Sequence, residues 1–320
     1  MFLKKASFKK ALALIIALVL LPSFSYAATR KEEAKALIDI LDKDEIKPNP
    51  KGMHHYLLIC MDSWGAKLNN LGFSDGMVLL TLDEGTGRVM ITSFIRDMLV
   101  LHPNGDPGRL TYIAKEFGVP ALVETINLHF GINIEKYILM DWSQVQSIVD
   151  ACGGVKLNVT NAEASYLRRY SISPTSTVPA MKNAGEYLFK GHAAVIYMRM
   201  RKVAASNGEK QDFGRTFRTR TVLSNIADSL ADISYEEAER LLDSVVDNIL
   251  YTNLSAAEIL EAFNIAFSLK GTKVEQCRLP FDGTVRPYDY YGGAAQLVDF
   301  AKNRELFNSF LMESSYVVME

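Results

Sequence analysis

"KYILMDWSQVQSIVDACGGVKLNV", residues 136–159, reads in three pieces. "KYILMDW" is an apolar run of strand length. "SQVQSIVDACGG" repeats apolar residues at helical spacing, with Ser143 placed to cap its start and Gly153 to end it. "VKLNV" alternates apolar and polar residues, the period of a strand. Strand, helix and strand in direct succession predict an α/β layered domain. Upstream, "YLLICMD" (56–62) reads as a strand, and "MVLLTLDEGTGRVMITSF" (77–94) as two strands around a glycine-containing turn. "VPALVETINLHFG" (119–131) is a helix that stops at Gly131. The "GTG" of the turn joins two strands, and Met90 stands where a dinucleotide fingerprint needs its third glycine.

Beyond Phe213 the pattern turns mainly helical, over about 213–230, 235–250 and 256–269. "KVEQCRLP" (273–280) adds a late strand, and "AAQLVDFAKNRELFNSFLME" a last helix. "SISPTSTVPA" (171–180) and "RPYDYYGG" (286–293) read as loops, and "KEEAKALIDILDK" (31–43) as an amphipathic helix. No Pro/Gly-rich linker divides the chain, so it reads as a single domain with a helical C-terminal extension.

The first 27 residues form a separate object. A basic "MFLKKASFKK", an apolar "ALALIIALVLL" and small residues before Ala28 follow the order of a secretory signal. Cleaved or kept as an anchor, such a segment places the body of the protein outside the cytoplasm. The expected division is 1–27 signal peptide, 28–51 helix and loop, and 52–320 main domain. Removing Lys4, Lys5, Lys9 and Lys10 leaves 31 basic against 37 acidic residues, and the net charge moves from −2 to −6. An exported acidic protein is not built to hold nucleic acid. Three cysteines in apolar contexts, with no CxxC and no HExxH in the chain, argue against zinc and for small buried thiols.

Against that acidic background, "YMRMRKVAASNGEKQDFGRTFRTRT" (197–221) carries five arginines and two lysines but only Glu209 and Asp212 as acids. In an extended segment Arg199 and Arg201 share a face. Asp212 is placed to cap a helix starting near Phe213, on which Arg215 and Arg218 lie three apart. A cation in the first helical turn opposes the dipole unless an anion neutralises it. Converging guanidiniums suit phosphate oxygens, which they grip in bidentate fashion. Asp62, Asp75, Arg96 and Asp97 stand at the ends of the upstream strands. Two carboxylates beside such an arginine set could hold a hard cation such as Mg²⁺ bridging a pyrophosphate. Trp64 and Trp142 flank strand ends and read as packing residues.

The blocks "CMD", "SDGMVLLTLDEGTGRVMITSFIRD", "VDACGGV", "KGHAAVIYMRMR" and "DFGRTFR" occur in an order and spacing that resemble the LytR-CpsA-Psr family of bacterial cell-envelope proteins. The resemblance covers roughly Tyr56 to Arg220. It implies an α/β/α sandwich around a mixed central β-sheet, with an apolar groove for a polyprenyl tail. It further implies an Mg²⁺-dependent phosphotransferase that moves an anionic glycopolymer from a polyprenyl-pyrophosphate carrier to peptidoglycan at the outer surface of the membrane. A polyprenyl-pyrophosphate hydrolase and a non-catalytic binder of wall polymer are the alternatives. On matching positions, Asp62 and Asp75 would bind Mg²⁺, and Arg96, Arg199, Arg201 and Arg215 the pyrophosphate, with Arg218 close by. Asp97 would orient Arg96 or act as base. The chain departs from the family pattern at Phe73, Ile95 and Thr219, and matches its Lys-x-Asn only loosely with Arg109 and Thr111.

Overall fold

The structure, a computed structural model, describes residues 29–169, 178–290 and 293–312. The leader reading of 1–27, residues 171–177 of the "SISPTSTVPA" loop and Tyr291 lie outside the described residues. The chain starts with a helix over 29–36 (α1), then Met53–Met61 (β1), Ser74–Asp83 (β2) and Arg88–Phe94 (β3). Leu99–Leu101 (β4), Pro107–Arg109 (β5), Ile113–Phe117 (α2), Val119–Phe130 (α3), Lys136–Asp141 (β6) and Trp142–Ala151 (α4) follow. Next come Val155–Val159 (β7), Asn161–Leu167 (α5), Gly185–Phe189 (β8), Gly191–Met198 (α6), Gln211–Ser229 (α7) and Tyr235–Val246 (α8). Tyr251–Thr252 (β9), Ala256–Ser268 (α9), Val274–Leu279 (β10), Val285–Tyr290 (β11), Gly293–Val298 (β12) and Phe300–Met312 (α10) complete it.

Six strands form the central sheet in the order β10-β3-β2-β1-β6-β9. β1 runs antiparallel to β2 and parallel to β6, and β3 antiparallel to β2 and parallel to β10, so the sheet is mixed. Alternation along β1 sends Leu57, Ile59 and Met61 to one face, where they meet Leu122 and Ile126 of α3 and Phe307 and Phe310 of α10. Cys60 points to the other face, toward Val149 of α4, Met198 of α6 and Val222 of α7. Each buried side chain of the Leu, Ile or Phe type contributes about 1.5–3 kcal/mol. The outcome is the expected α/β/α sandwich. α7, α10 and β10 are integral to it: they build the two helical layers and one edge of the sheet.

Gly131 ends α3 at φ 66°, the left-handed C-cap expected of it. Other local readings shift. α4 is capped by Asp141, whose side chain accepts from the N–H groups of Ser143 and Gln144, so the helix starts ahead of Ser143. "VKLNV" is a strand but stands outside the central sheet, paired with β8 in a two-stranded ribbon. Its Lys156 and Asn158 are exposed between buried Val155, Leu157 and Val159. One-sided burial fits a ribbon and not a sheet covered on both faces. Residues 286–290 of "RPYDYYGG" pair with residues 293–297 in the β11–β12 ribbon, where Ala295 and Leu297 bury on alternate positions. α1 covers only 29–36, after which the chain lies against α3, with the Leu41 N–H donating to Leu128 O at 3.0 Å. Cys60 and Cys277 are buried, Cys152 is half-buried, and all three are free thiols. Among the described residues no helix is long and apolar enough to cross a membrane.

Candidate active site

Asp75 owes its direction to a bulge. β1 and β2 pair regularly up to Cys60 opposite Gly76, but Met61 then faces Ser74, leaving Asp75 as the extra residue. A bulge re-aims a side chain that strict alternation would send elsewhere. Arg96 Nη1 donates to Asp75 Oδ1, and Arg215 Nη2 donates to Oδ2 at 2.9 Å. Asp62 follows the neighbouring strand β1. Its Oδ1 accepts from Trp142 Nε1 at 3.1 Å and from Arg199 Nη2 at 3.2 Å. The Arg199 guanidinium also lies 5.0 Å from the centre of the Trp142 ring.

Backbone bonds hold the loop after β3. The Ile95 N–H donates to Leu279 O, Thr111 N–H to Arg96 O, and Gln296 N–H to Asp97 O. Arg96 and Asp97 are therefore presented from a rigid turn. On the helical side, α7 opens with Gln211 at φ 54°, in the left-handed region. Gly214 lets the preceding loop pass close, since a Cβ there would lie 2.7 Å from Glu209 O. Asp212 sits in the first turn, where an acid complements the dipole. It accepts from Arg215 Nη1 at 3.2 Å and Arg201 Nη2 at 3.3 Å, and lies 3.4 Å from Arg96 Nε. Arg96 Nε is buried and makes no hydrogen bond.

Arg96, Arg201 and Arg215 thus form one ionic network with Asp75, Asp97 and Asp212, and Arg199 pairs with Asp62 at the end of the strand next to Asp75. Arg199 and Arg201 remain about half exposed, with side-chain accessibilities of 40% and 45%, while Arg215 is at 9% and Asp75 at 4%. Burial, then the hydrogen bond and charge of Asp212, push the Asp97 carboxyl up to about 7 against the pull of Arg96 and Arg109. For Asp212 burial acts upward too, but the hydrogen bond from Asp97 and the charges of Arg96, Arg215 and Arg201 prevail and hold it at about 2. The proton that the pair holds in acid leaves Asp97 as pH rises through about 7.

From this cluster an apolar groove opens between the sheet and helices α4, α6 and α7. Leu58, Val78, Met140, Ile148, Val222 and Leu223 form much of its wall, and Asp75, Arg215 and Thr219 line it where it meets the charges.

Several residues take other places than the sequence suggested. Arg218 is fully buried and turned away: its Nε donates to Glu163 at 2.8 Å, and its terminal nitrogens to the carbonyls of Met200 and Val203, both at 2.9 Å. It packs the fold, with its guanidinium fully buried among these partners. Arg199 does not leave an extended strand; it is the C-cap of α6, where a cation is favoured. Asp212 is not the helix cap but a member of the cluster, and Arg215 lies beyond the first turn. Trp142 does pack, yet it also orients Asp62. The i, i+3 spacing of Asp212 and Arg215 was the one sequence signal that could have found the first of these.

The LytR-CpsA-Psr family model matches residues 23–305. Biofilm regulatory protein A of Streptococcus mutans is 27% identical over 236 residues, 71% of this chain and 55% of that protein. A polyisoprenyl-teichoic acid–peptidoglycan teichoic acid transferase TagU of Oceanobacillus iheyensis is 29% identical over 188 residues, 56% of this chain and 53% of that protein. The chain therefore spans just over half the length of these two relatives. Among solved structures, Bacillus subtilis TagV superposes with a TM-score of 0.65 at 22% identity, covering 83% of this chain and 98% of that one. TagT with bound octaprenyl pyrophosphate lipid gives 0.61 at 20% identity, covering 82% and 92%. With the matched span running through the sheet, the groove and the arginine cluster, this chain belongs to the LytR-CpsA-Psr family.

Proposed function

We propose that this protein transfers an anionic glycopolymer from a polyprenyl-pyrophosphate carrier to peptidoglycan, forming a phosphodiester at the outer surface of the cytoplasmic membrane. The observation that carries this reading is the junction of an apolar groove with a guanidinium cluster. A ligand that fits it has an apolar chain ending in a multiply charged anion, as a polyprenyl pyrophosphate does. The relatives named as teichoic acid transferases and the lipid named with TagT support the same reading.

In this scheme the carrier tail fills the groove, and Arg96, Arg199, Arg201 and Arg215 neutralise the pyrophosphate. An acceptor hydroxyl gives its proton to Asp97 and attacks the phosphorus that carries the polymer. The bond from that phosphorus to the bridging oxygen breaks, and polyprenyl phosphate leaves. Phosphoryl transfer asks for positioning and charge stabilisation rather than covalent help from the protein. Asp62 and Asp75 would hold Mg²⁺. Their hard oxygens fit it, and Asp62 Oδ2 makes no hydrogen bond to the described residues. When bound, the ion would add positive charge at the pyrophosphate.

The test combines the protein with Mg²⁺, a short-chain polyprenyl-pyrophosphate-linked sugar and peptidoglycan oligomers, and follows products by mass. A sugar-phosphate–peptidoglycan adduct, absent in Asp75→Ala and Arg199→Ala and slowed by a groove-narrowing Leu223→Trp, is the expected result. Lipid phosphate released without an adduct identifies a hydrolase, and carrier binding without turnover identifies a binding protein.

Asp97 gives this scheme a pH signature. Only its carboxylate accepts a proton, so transfer rises with pH through about 7 and levels off above it. Asp97→Asn lowers the rate about 10²–10³-fold and abolishes that limb. The same group acts on stability. Its folded pKa lies above the unfolded value of 3.8, so its stabilising contribution is complete below pH 3.8 and is lost as pH rises through about 7. Denaturant melts of the wild type and Asp97→Asn at pH 5 and pH 8 should accordingly show the variant gaining ground at the higher pH.

A further inference from the structure

Beside Asp97 lies a patch that the scheme above leaves without a task. Phe73 directly precedes β2 and exposes 37% of its surface, unusual for a phenylalanine next to a polar site. Its backbone is held firmly. Phe73 O accepts from the Asp62 N–H at 2.8 Å, and the adjacent Ser74 exchanges bonds with Thr111, each hydroxyl donating to the other's carbonyl at 3.2 and 3.1 Å. This pins the start of β2 to the short helical turn Leu110–Tyr112 and brings the two rings together. Phe73 and Tyr112 are 5.2 Å apart between centroids, inclined at 58°.

Two cations flank these rings. Lys115 Nζ lies 4.3 Å from the centre of the Phe73 ring, is exposed, and has no carboxylate partner among the described residues. The Arg109 guanidinium lies 4.7 Å from the centre of the Tyr112 ring, donates to the Tyr112 hydroxyl, and reaches Asp97 Oδ1 at 3.5 Å. An unbroken series of contacts thus runs from the exposed Lys115 and Phe73 through Tyr112 and Arg109 to the proposed base. Exposed aromatic edges beside amine and guanidinium donors suit the apolar face and polar rim of a sugar ring. An unpaired ammonium adds a preference for an anionic substituent.

We infer that Phe73, Tyr112, Lys115 and Arg109 form an acceptor subsite that takes a pyranose ring bearing a carboxylate and presents its hydroxyl to Asp97. This rests on the transfer reading for its role in turnover, but not for binding. None of these four residues lines the groove assigned to the donor tail, so the subsite is assigned to the second substrate. It also gives the phenylalanine at position 73 a use where the family pattern has arginine.

The test measures binding by calorimetry on the whole protein, with two β-1,4-linked N-acetylated oligosaccharides of equal length. One is neutral; the other carries a free carboxylate on alternate rings. Octaprenyl pyrophosphate serves as the donor-side probe. The wild type should favour the acidic glycan about tenfold, as one charge-assisted contact implies. Lys115→Gln should erase that preference, and Phe73→Ala should weaken both glycans about tenfold. Octaprenyl pyrophosphate affinity and melting temperature should stay unchanged in both variants. Glycan affinities equal to the wild type in both variants would overturn the subsite, as would a loss confined to octaprenyl pyrophosphate, which would assign the patch to the donor. If glycan binding follows the expected pattern while no adduct ever forms, the subsite stands and the transfer reading falls.

Discussion

Arg218→Ala is expected to cost about 3–5 kcal/mol of stability, seen as a fall in melting temperature of about 5–10 °C. Arg218 and Glu163 are both fully buried and joined at 2.8 Å. Removing the guanidinium strands an uncompensated carboxylate beneath Tyr197, whose ring lies 5.7 Å from the Arg218 guanidinium, and orphans the carbonyls of Met200 and Val203. The damage falls next to Arg199 and Arg201, so activity will drop as well, and activity alone would misassign this residue to the ligand. The discriminating variant is Arg218→Met with Glu163→Gln. It removes both charges together and should recover more than half of the lost stability, because no buried ion is left unpaired. With it should return the affinity for octaprenyl pyrophosphate. A double variant that is stable yet fails to bind the lipid would put Arg218 back among the ligand residues.

Arg215→Ala should show the opposite profile, a large functional loss with a modest structural one. Arg215 bridges Asp75 on the sheet to Asp212 on α7, at 2.9 and 3.2 Å, and lines the groove. Asp75 keeps Arg96, and Asp212 keeps Arg96 and Arg201, so neither carboxylate is abandoned. What disappears is a charge-stabilising donor where tail meets pyrophosphate. Loss of one such preorganised donor lowers turnover about 10²–10³-fold. Arg215→Lys should recover little, since a single ammonium cannot serve two carboxylates and a phosphate in the planar fork geometry that a guanidinium offers. Single-turnover transfer and lipid-binding titrations would check both variants. Wild-type transfer by Arg215→Ala would remove the cluster from the mechanism.

The two arginines stand three residues apart on one helix, and their contrasting fates mark the limit of sequence reading. Spacing places Arg215 and Arg218 on the same side of α7, and the family pattern groups them. Neither says how α7 is rotated against its neighbours. In the fold, that rotation aims Arg215 at the sheet and Arg218 under α6, where the buried Glu163 of α5 waits. Asp212 shows the same effect in reverse. Its position near a helix start has a local explanation as a cap, and only the approach of Arg96 and Arg201 from distant segments makes it part of the site.

Local chemistry was sufficient for much else. The β2–β3 hairpin, the α3 stop at Gly131 and the extent of α7 follow from short-range periodicity, turn residues and caps, all of which act within a few residues. Ordered motifs in the chain name Asp62, Asp75, Arg96, Arg199, Arg201 and Arg215 as the candidate set. Left to the assembled molecule were the partition of strands between the central sheet and the β7–β8 and β11–β12 ribbons, the bulge that turns Asp75 inward, the seating of Trp142 on Asp62, and the meeting of Phe73 with Tyr112. Each depends on contacts between segments tens of residues apart. A side chain's type and period are written in its neighbours along the chain, but its direction and its ionic partners come from whatever the rest of the chain packs against it.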